Sequence, residues 1–295
     1  MSMELVYDYP LYRPPSESRS LIFQVTLGCS FNKCSFCDMY RSKDYSERPI
    51  EEIFKEVELM AKYFPDTRRV FLADGDAMNL DTEKLVKIIT KIRKNFKSIE
   101  RISCYSMPKN LLQKSADELS ALKAVGLNMV YLGIESGNDK ILKKVTKGAT
   151  SKMIIESCKK AKDAEFILSC MVILGLGGKT YTIDHARDTA KIISTISPDY
   201  IGALTLYMEP NIEKEFYEKF GEPFLPLEDK EIVDELYNLI SNINLKNKSI
   251  FRANHASNVY SLGGTLPNDK EDILQKIDYL KNHPEVFKPK VLRRF

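Results

Sequence analysis

Nowhere in these 295 residues do eighteen apolar residues run together, so the sequence offers no membrane-spanning helix. Charge of one sign is not in excess either. Lys plus Arg number 44 against 41 Asp plus Glu, a net +3, which provides no basic stripe for nucleic acid and no acidic tail for a charged partner. Low-complexity tracts and long polar linkers are absent, and nothing repeats beyond the unit described below. The stretch from Met1 to Pro15 carries acidic residues with Pro10, Pro14 and Pro15, where a leader would carry an apolar segment. A soluble, cytoplasmic protein is expected. Histidines number three and cysteines six, a usage that fits a reducing compartment in which thiols serve metals better than disulfides.

What is present is a triplet: Cys29, Cys34 and Cys37 fall in one short loop directly after the apolar run Leu21 to Thr26. A structural zinc site closes with four Cys or His ligands, yet the next cysteine is Cys104 and the nearest histidine His185. Three thiolates on a 4Fe-4S cubane would leave one iron open to a small molecule, an arrangement suited to catalysis. Zinc, or three unligated thiols, is the alternative.

Along the chain, short apolar or β-branched runs alternate with stretches of helical period. Strands are predicted over 21–26, 69–73, 99–104, 128–133, 166–174 and 200–206, and helices over 49–64, 81–96, 115–125, 139–145, 151–164 and 183–196. Ser115 with Glu118 makes a capping box, and Gly148 breaks the cover between two helices. Six βα units with right-handed crossovers give an α/β fold, an open sheet or a partial (β/α)6 TIM-type barrel, with a C-terminal helical and irregular extension. The domains read as an extension (1–20), a core (21–206) and a C-terminal extension packed on it (207–295), containing a mixed, proline-bearing stretch over 208–226, helices over 228–243 and 269–282, and a polar, glycine-bearing segment over 251–267.

Barrels of this type act at the carboxyl ends of their strands. There the sequence places the cysteine loop, then Asp74-Gly75-Asp76, Tyr105-Ser106, Glu135-Ser136-Gly137 and Gly175. Glycines admit a ligand close to the backbone, and carboxylates accept from an amine or ribose hydroxyl. Asp74 and Asp76 could equally cap a helix or form an Asx turn. The segment Arg252 to Gly264 is predicted to cover the mouth and to offer Asn254, His255 or Asn258 to a substrate, against the alternative of a surface loop held by its own side chains. Cys104, Cys158 and Cys170 are scattered and read as core packing.

The stretch from Leu21 to about Leu206 resembles the core of radical S-adenosylmethionine enzymes, on the branch that includes the elongator-like and oxygen-independent coproporphyrinogen-oxidase-like proteins. Its cysteine motif departs from the commonest spacing, Cys-x3-Cys-x2-Cys, by one added residue between Cys29 and Cys34. The resemblance implies that Phe36 contacts the cofactor's adenine. Asp74-Gly75-Asp76, where the family often has Gly-Gly-Glu, would hold the methionine amino group. Glu135 and Ser136 would reach ribose or the methionine carboxylate, and Gly175 would support the adenine. It implies a 4Fe-4S cluster and S-adenosyl-L-methionine as cofactors, a 5'-deoxyadenosyl radical, a small-molecule substrate, and an electron donor such as flavodoxin or ferredoxin. Two other classes remain open, a tRNA-modifying radical enzyme and an iron-sulfur carrier without catalysis.

Overall fold

The computed structural model describes residues 7–293, which leaves the first six residues of the amino-terminal extension and the last two of the chain outside the described residues. The chain forms two compact units. One holds the residues up to Asn32, Met39–Leu132 and Lys160–Ile167; the other holds Lys33–Asp38, Gly133–Lys159 and the residues from Leu168 on.

The first unit begins with β1 (Leu21–Gln24), then a clasp of two short antiparallel strands, β2 (Thr26–Leu27) and β3 (Ser46–Glu47), which closes the base of the segment carrying the cysteines. There follow α1 (Ile50–Tyr63), β4 (Arg69–Ala73), α2 (Thr82–Asn95), β5 (Arg101–Ser106), α3 (Pro108–Gln113), α4 (Ala116–Ala124) and most of β6 (Leu127–Glu135). Neighbouring strands run parallel, with Leu21 opposite Val70, Val70 opposite Ile102, and Tyr105 opposite Tyr131. Their near-continuous burial is what a parallel sheet requires. Helix starts follow the side chains: Asp81 accepts from the Glu83 amide at 2.8 Å, and Ser115 with Glu118 forms the expected capping box.

The second unit takes the end of β6, then α5 (Asp139–Lys144), α6 (Ser151–Asp163, with Lys160 onward in the first unit), β7 (Ile167–Leu174), α7 (Gly178–Ile196), β8 (Tyr200–Thr205), α8 (Pro210–Phe220), α9 (Asp229–Asn242), β9 (Ser249–Ala253), β10 (Leu262–Leu266) and α10 (Lys270–Asn282). Here β7, β8 and β9 pair in parallel and β10 closes antiparallel to β9.

All six expected strands form within a few residues of their predicted ends. The extension differs more. The proline-bearing stretch contains α8, because Pro210 at a first helical turn loses no hydrogen bond and Ile212, Phe216 and Phe220 recur on one buried face. The polar segment contains the end of β9 and all of β10, and the two adjacent glycines of β10 hid a strand. Gly264 is used because a Cβ there would meet Ile273 Cδ1 of α10 at 2.9 Å.

One buried carboxylate organises the amino-terminal residues of the first unit. Glu17, fully buried, accepts from Ser20, from Arg101 Nη2 at 2.8 Å, from Ser103 at 3.0 Å and from the Tyr131 hydroxyl at 2.6 Å. Truncation orphans several buried donors at once. We expect Glu17→Ala to lower the unfolding free energy by about 2–4 kcal/mol in urea titrations; a change below about 0.5 kcal/mol would show the network to be solvated instead.

Candidate functional site

In the first unit the site begins with Gly28, whose left-handed backbone (φ 69) opens the cysteine loop. A Cβ there would press on the carbonyls of Lys43 and Asp44 at 3.2 Å. Its amide donates to Asp74 Oδ2 at 3.2 Å, and Lys43 Nζ reaches the same oxygen at 2.9 Å. Asp74 is therefore tied into a buried ion pair, although burial still pushes its carboxyl above the usual range against the pull of Lys43. Gly75 is occupied as well: an added Cβ would lie 2.5 Å from the Tyr40 ring.

Asp76 is differently placed. It is fully buried, takes a hydrogen bond from the Ser30 hydroxyl, and keeps its other oxygen, Oδ1, buried without a hydrogen-bond partner. Desolvation pushes its carboxyl up to about 7, with the Ser30 hydrogen bond pulling the other way. Ser30 follows Cys29, and the Cys29 thiol and Asp76 both act electrostatically on the Tyr45 hydroxyl. The first cysteine thus stands in the same polar corner as a carboxyl with spare acceptor capacity. Cys104, buried in β5, has its thiol pushed up to about 12 by burial and, second, by Asp76, which suits core packing.

In the second unit, Cys34 and Cys37 are half-buried against an apolar cluster of Phe36, Ile141, Val145, Ile173, Leu176, Phe216, Phe220 and Phe224. The Ser35 amide donates to the Val145 carbonyl at 3.0 Å and fixes the loop. Beside the two thiols lies Lys147, which sequence reasoning did not single out; it is one lysine of several in its stretch. Its Nζ pairs with Glu135 Oε1 at 2.8 Å, and both side chains are about nine-tenths buried. Burial alone would lower the lysine, yet Glu135 together with the Cys34 and Cys37 thiolates raises it. Glu135 reaches this position from a left-handed backbone (φ 63) at the end of β6. Gly133 makes the room: a Cβ there would overlap Glu135 Oε1 at 1.9 Å.

The remaining residues are held by a polar chain. The Ser136 hydroxyl bonds His185 Nδ1 at 2.8 Å, and His185 Nε2 donates to the Ile173 carbonyl at 2.9 Å. Gly175 (φ 82) donates its amide to Glu235 Oε1 at 2.6 Å, and Thr182 donates to Glu235 Oε2 at 2.6 Å. Glu235, a buried carboxylate of α9, also escaped sequence reading; a charged residue in an amphipathic helix gives no sign of facing inward. In the extension, Asn258 donates to the Ala203 carbonyl at 2.8 Å and accepts from Thr205 at 3.0 Å. Ser257 accepts from the Thr205 amide and bonds His255 Nδ1 at 2.9 Å, so this segment is fastened to the carboxyl end of β8. Asn254 is exposed, while His255 is held within the loop, its imidazole lowered by burial and then by Lys288.

Among the described residues, no three His, Cys, Asp or Glu side chains converge as a single ion would require. A cubane spreads its thiolates over separate corners and asks for no such convergence. None of the six cysteines is in a disulfide, and two of the triplet stand beside a buried cation, a donor set that fits a cluster carrying negative charge.

Residues 23–193 match the family model of the Radical SAM superfamily, and this chain belongs to that superfamily. Structures of the family bind a 4Fe-4S cluster and S-adenosylmethionine. The chain is similar to the heme chaperone HemW of Bacillus subtilis, 25% identical over 215 residues, covering 70% of this chain and 55% of the relative. The coproporphyrinogen III oxidase HemN of Escherichia coli shares its fold, with TM-score 0.60 and 19% identity over 75% of this chain and 51% of that one. Methylornithine synthase PylB follows at TM-score 0.54 and 16% identity, over 77% and 63%. The fold is therefore the partial TIM-type barrel of this superfamily. The chain spans about half the length of the HemW and HemN relatives it matches.

The Asp76 carboxyl leads to a pH prediction. Its folded value near 7 lies above the unfolded value near 4, so the folded form holds the extra proton and stability falls as pH rises between them. In the cluster-free protein, unfolding midpoints should decline over that window, by an amount on the order of 2–4 kcal/mol in free energy, and Asp76→Asn should flatten the decline. Parallel profiles for the two proteins would refute the assignment.

Proposed function

We propose that this chain is a radical S-adenosylmethionine enzyme acting on a small molecule, with residues 21–206 as its core and 207–295 as an extension packed on it. The observation that carries the reading is the pairing of Lys147 with Glu135 beside Cys34 and Cys37, inside the stretch that matches the family. Cys29, Cys34 and Cys37 would hold the cluster. When bound, cluster and S-adenosylmethionine together supply reductive cleavage to a 5'-deoxyadenosyl radical able to take a hydrogen atom from substrate.

The chain's own residues bind, orient and shield. Lys147 offsets the charge of two thiolates in a setting too dry for water to do so. Asp76 offers Oδ1 to an ammonium, whose arrival would favour the charged carboxylate. Ser136 and Gly175, braced by His185 and Glu235, fix two strand ends where a nucleoside could lie. The apolar cluster around Phe36 excludes water from one side of the loop. A flavodoxin or ferredoxin is the proposed reductant. No helix among the described residues is long and apolar enough to cross a membrane.

A second reading, a binding protein without catalysis, is favoured by the relative named as a heme chaperone; a tRNA-modifying enzyme stands third, the net charge being only +3. After anaerobic reconstitution and reduction, the protein should release 5'-deoxyadenosine from S-adenosylmethionine, and Cys29→Ala, Cys34→Ala and Cys37→Ala should each reduce release to background. Chromatographic assay decides it: cofactor binding with no release in the unaltered protein would favour the non-catalytic reading.

A further inference from the structure

The sheet of the second unit has two unlike faces. One carries Leu168, Cys170, Val172, Ile201, Ala203, Phe251 and Ala253, all buried, with α10 packed on β10 on the same side. The other carries Ser169 and Ile173, which are buried, and Met171, Tyr200, Gly202, Leu204, Ile250 and Arg252, which are at least partly exposed. Strand register sets four of its residues in one row, Met171 opposite Gly202, Gly202 opposite Arg252, and Arg252 opposite Gly263.

That row is built around an arginine between two glycines. At Gly202 an added Cβ would make ordinary contact with Met171 Cγ at 3.6 Å, so a small side chain would fit there and a large one would cover Met171. At Gly263 a Cβ would lie 3.0 Å from Arg252 Cδ, so the glycine lets the arginine stem lie down across β10. Arg252 Nη1 donates to the Phe251 carbonyl at 2.7 Å and the Gly264 carbonyl at 3.2 Å, which orients the guanidinium. Its remaining donors have no carboxylate within ion-pair distance among the described residues. An oriented guanidinium with an unused fork matches a carboxylate.

The same face leads to the cysteine loop. Ile173, two residues beyond Met171 and so on its side of β7, packs in the cluster that receives Cys34, Phe36 and Cys37, and Leu206, two beyond Leu204, packs there too. Two residues along a strand is roughly 7 Å, and Arg252 lies two strand spacings, about 10 Å, across from Met171.

We propose that this face is the substrate platform of the enzyme proposed above, and that Arg252 grips a carboxylate on a substrate whose remaining body is apolar and rests on Met171, Leu204 and Ile250. The proposal rests on that enzymatic reading for its purpose but on the sheet alone for its chemistry. The plain alternative is a cation placed next to an edge strand to discourage pairing with another chain.

Direct binding separates them. A dansyl-labelled undecanoic acid and its methyl ester share an apolar body and differ in the carboxylate. By fluorescence titration of the full chain, the acid should bind at least about tenfold more tightly than the ester. Arg252→Gln should bring the acid down to the ester while leaving the ester unchanged, which also certifies the fold. Gly202→Leu, covering Met171 with a branched side chain, should weaken both. Equal binding of acid and ester, or a preference that survives Arg252→Gln, would overturn the platform and leave an edge-guarding cation. Release of 5'-deoxyadenosine, measured on the same preparations, tells the two proposals apart: release without the preference sinks only the platform, and the preference without release sinks only the enzyme.

Discussion

A lysine ammonium enclosed to about nine-tenths keeps its charge only where anions stand close enough to replace the lost water. Lys147 has Glu135 at 2.8 Å and the Cys34 and Cys37 thiols nearby, and the rest of the second unit's site is arranged to permit that meeting. Gly133 gives up its side chain so that Glu135 can fold back, and Glu135 accepts a left-handed backbone to do so. Ser136, next in sequence, is then delivered to His185. Breaking one partner would strand the other in a dry place, so the strand end, the loop and the polar chain are held as one device.

The first unit solves a related problem differently. Asp74 and Asp76 are both buried, each with a raised pKa and one oxygen without a hydrogen-bond partner, but Asp74 is paired with Lys43 whereas Asp76 is held by the Ser30 hydroxyl. Two carboxyls two residues apart therefore do unlike work. The environment, not the residue type, distinguishes the one paired with a cation from the one that is not.

Much of this was legible in the amino-acid order. The six strands and the Ser115 cap emerged because parallel strands read as short apolar runs and caps have local spacing. The cysteine triplet stood out because its spacing is local too. What stayed hidden depends on folding back across sequence. Lys147 and Glu235 are ordinary charged residues until burial gives them partners. The strands β9 and β10 were masked by Gly263, Gly264 and Arg252, whose roles rest on neighbours from other elements. The contacts that Asn258 makes to Ala203 and Thr205 were hidden for the same reason, since strand β8 sets them.

The claim on which the account turns is that three thiolates hold a cluster with one iron open to S-adenosylmethionine. Electron paramagnetic resonance of the anaerobically reconstituted, reduced protein, recorded with and without that cofactor, addresses it directly. The account predicts a reduced 4Fe-4S signal whose g values move when S-adenosylmethionine is added; a cluster signal indifferent to the cofactor, or no cluster signal at all, would contradict it.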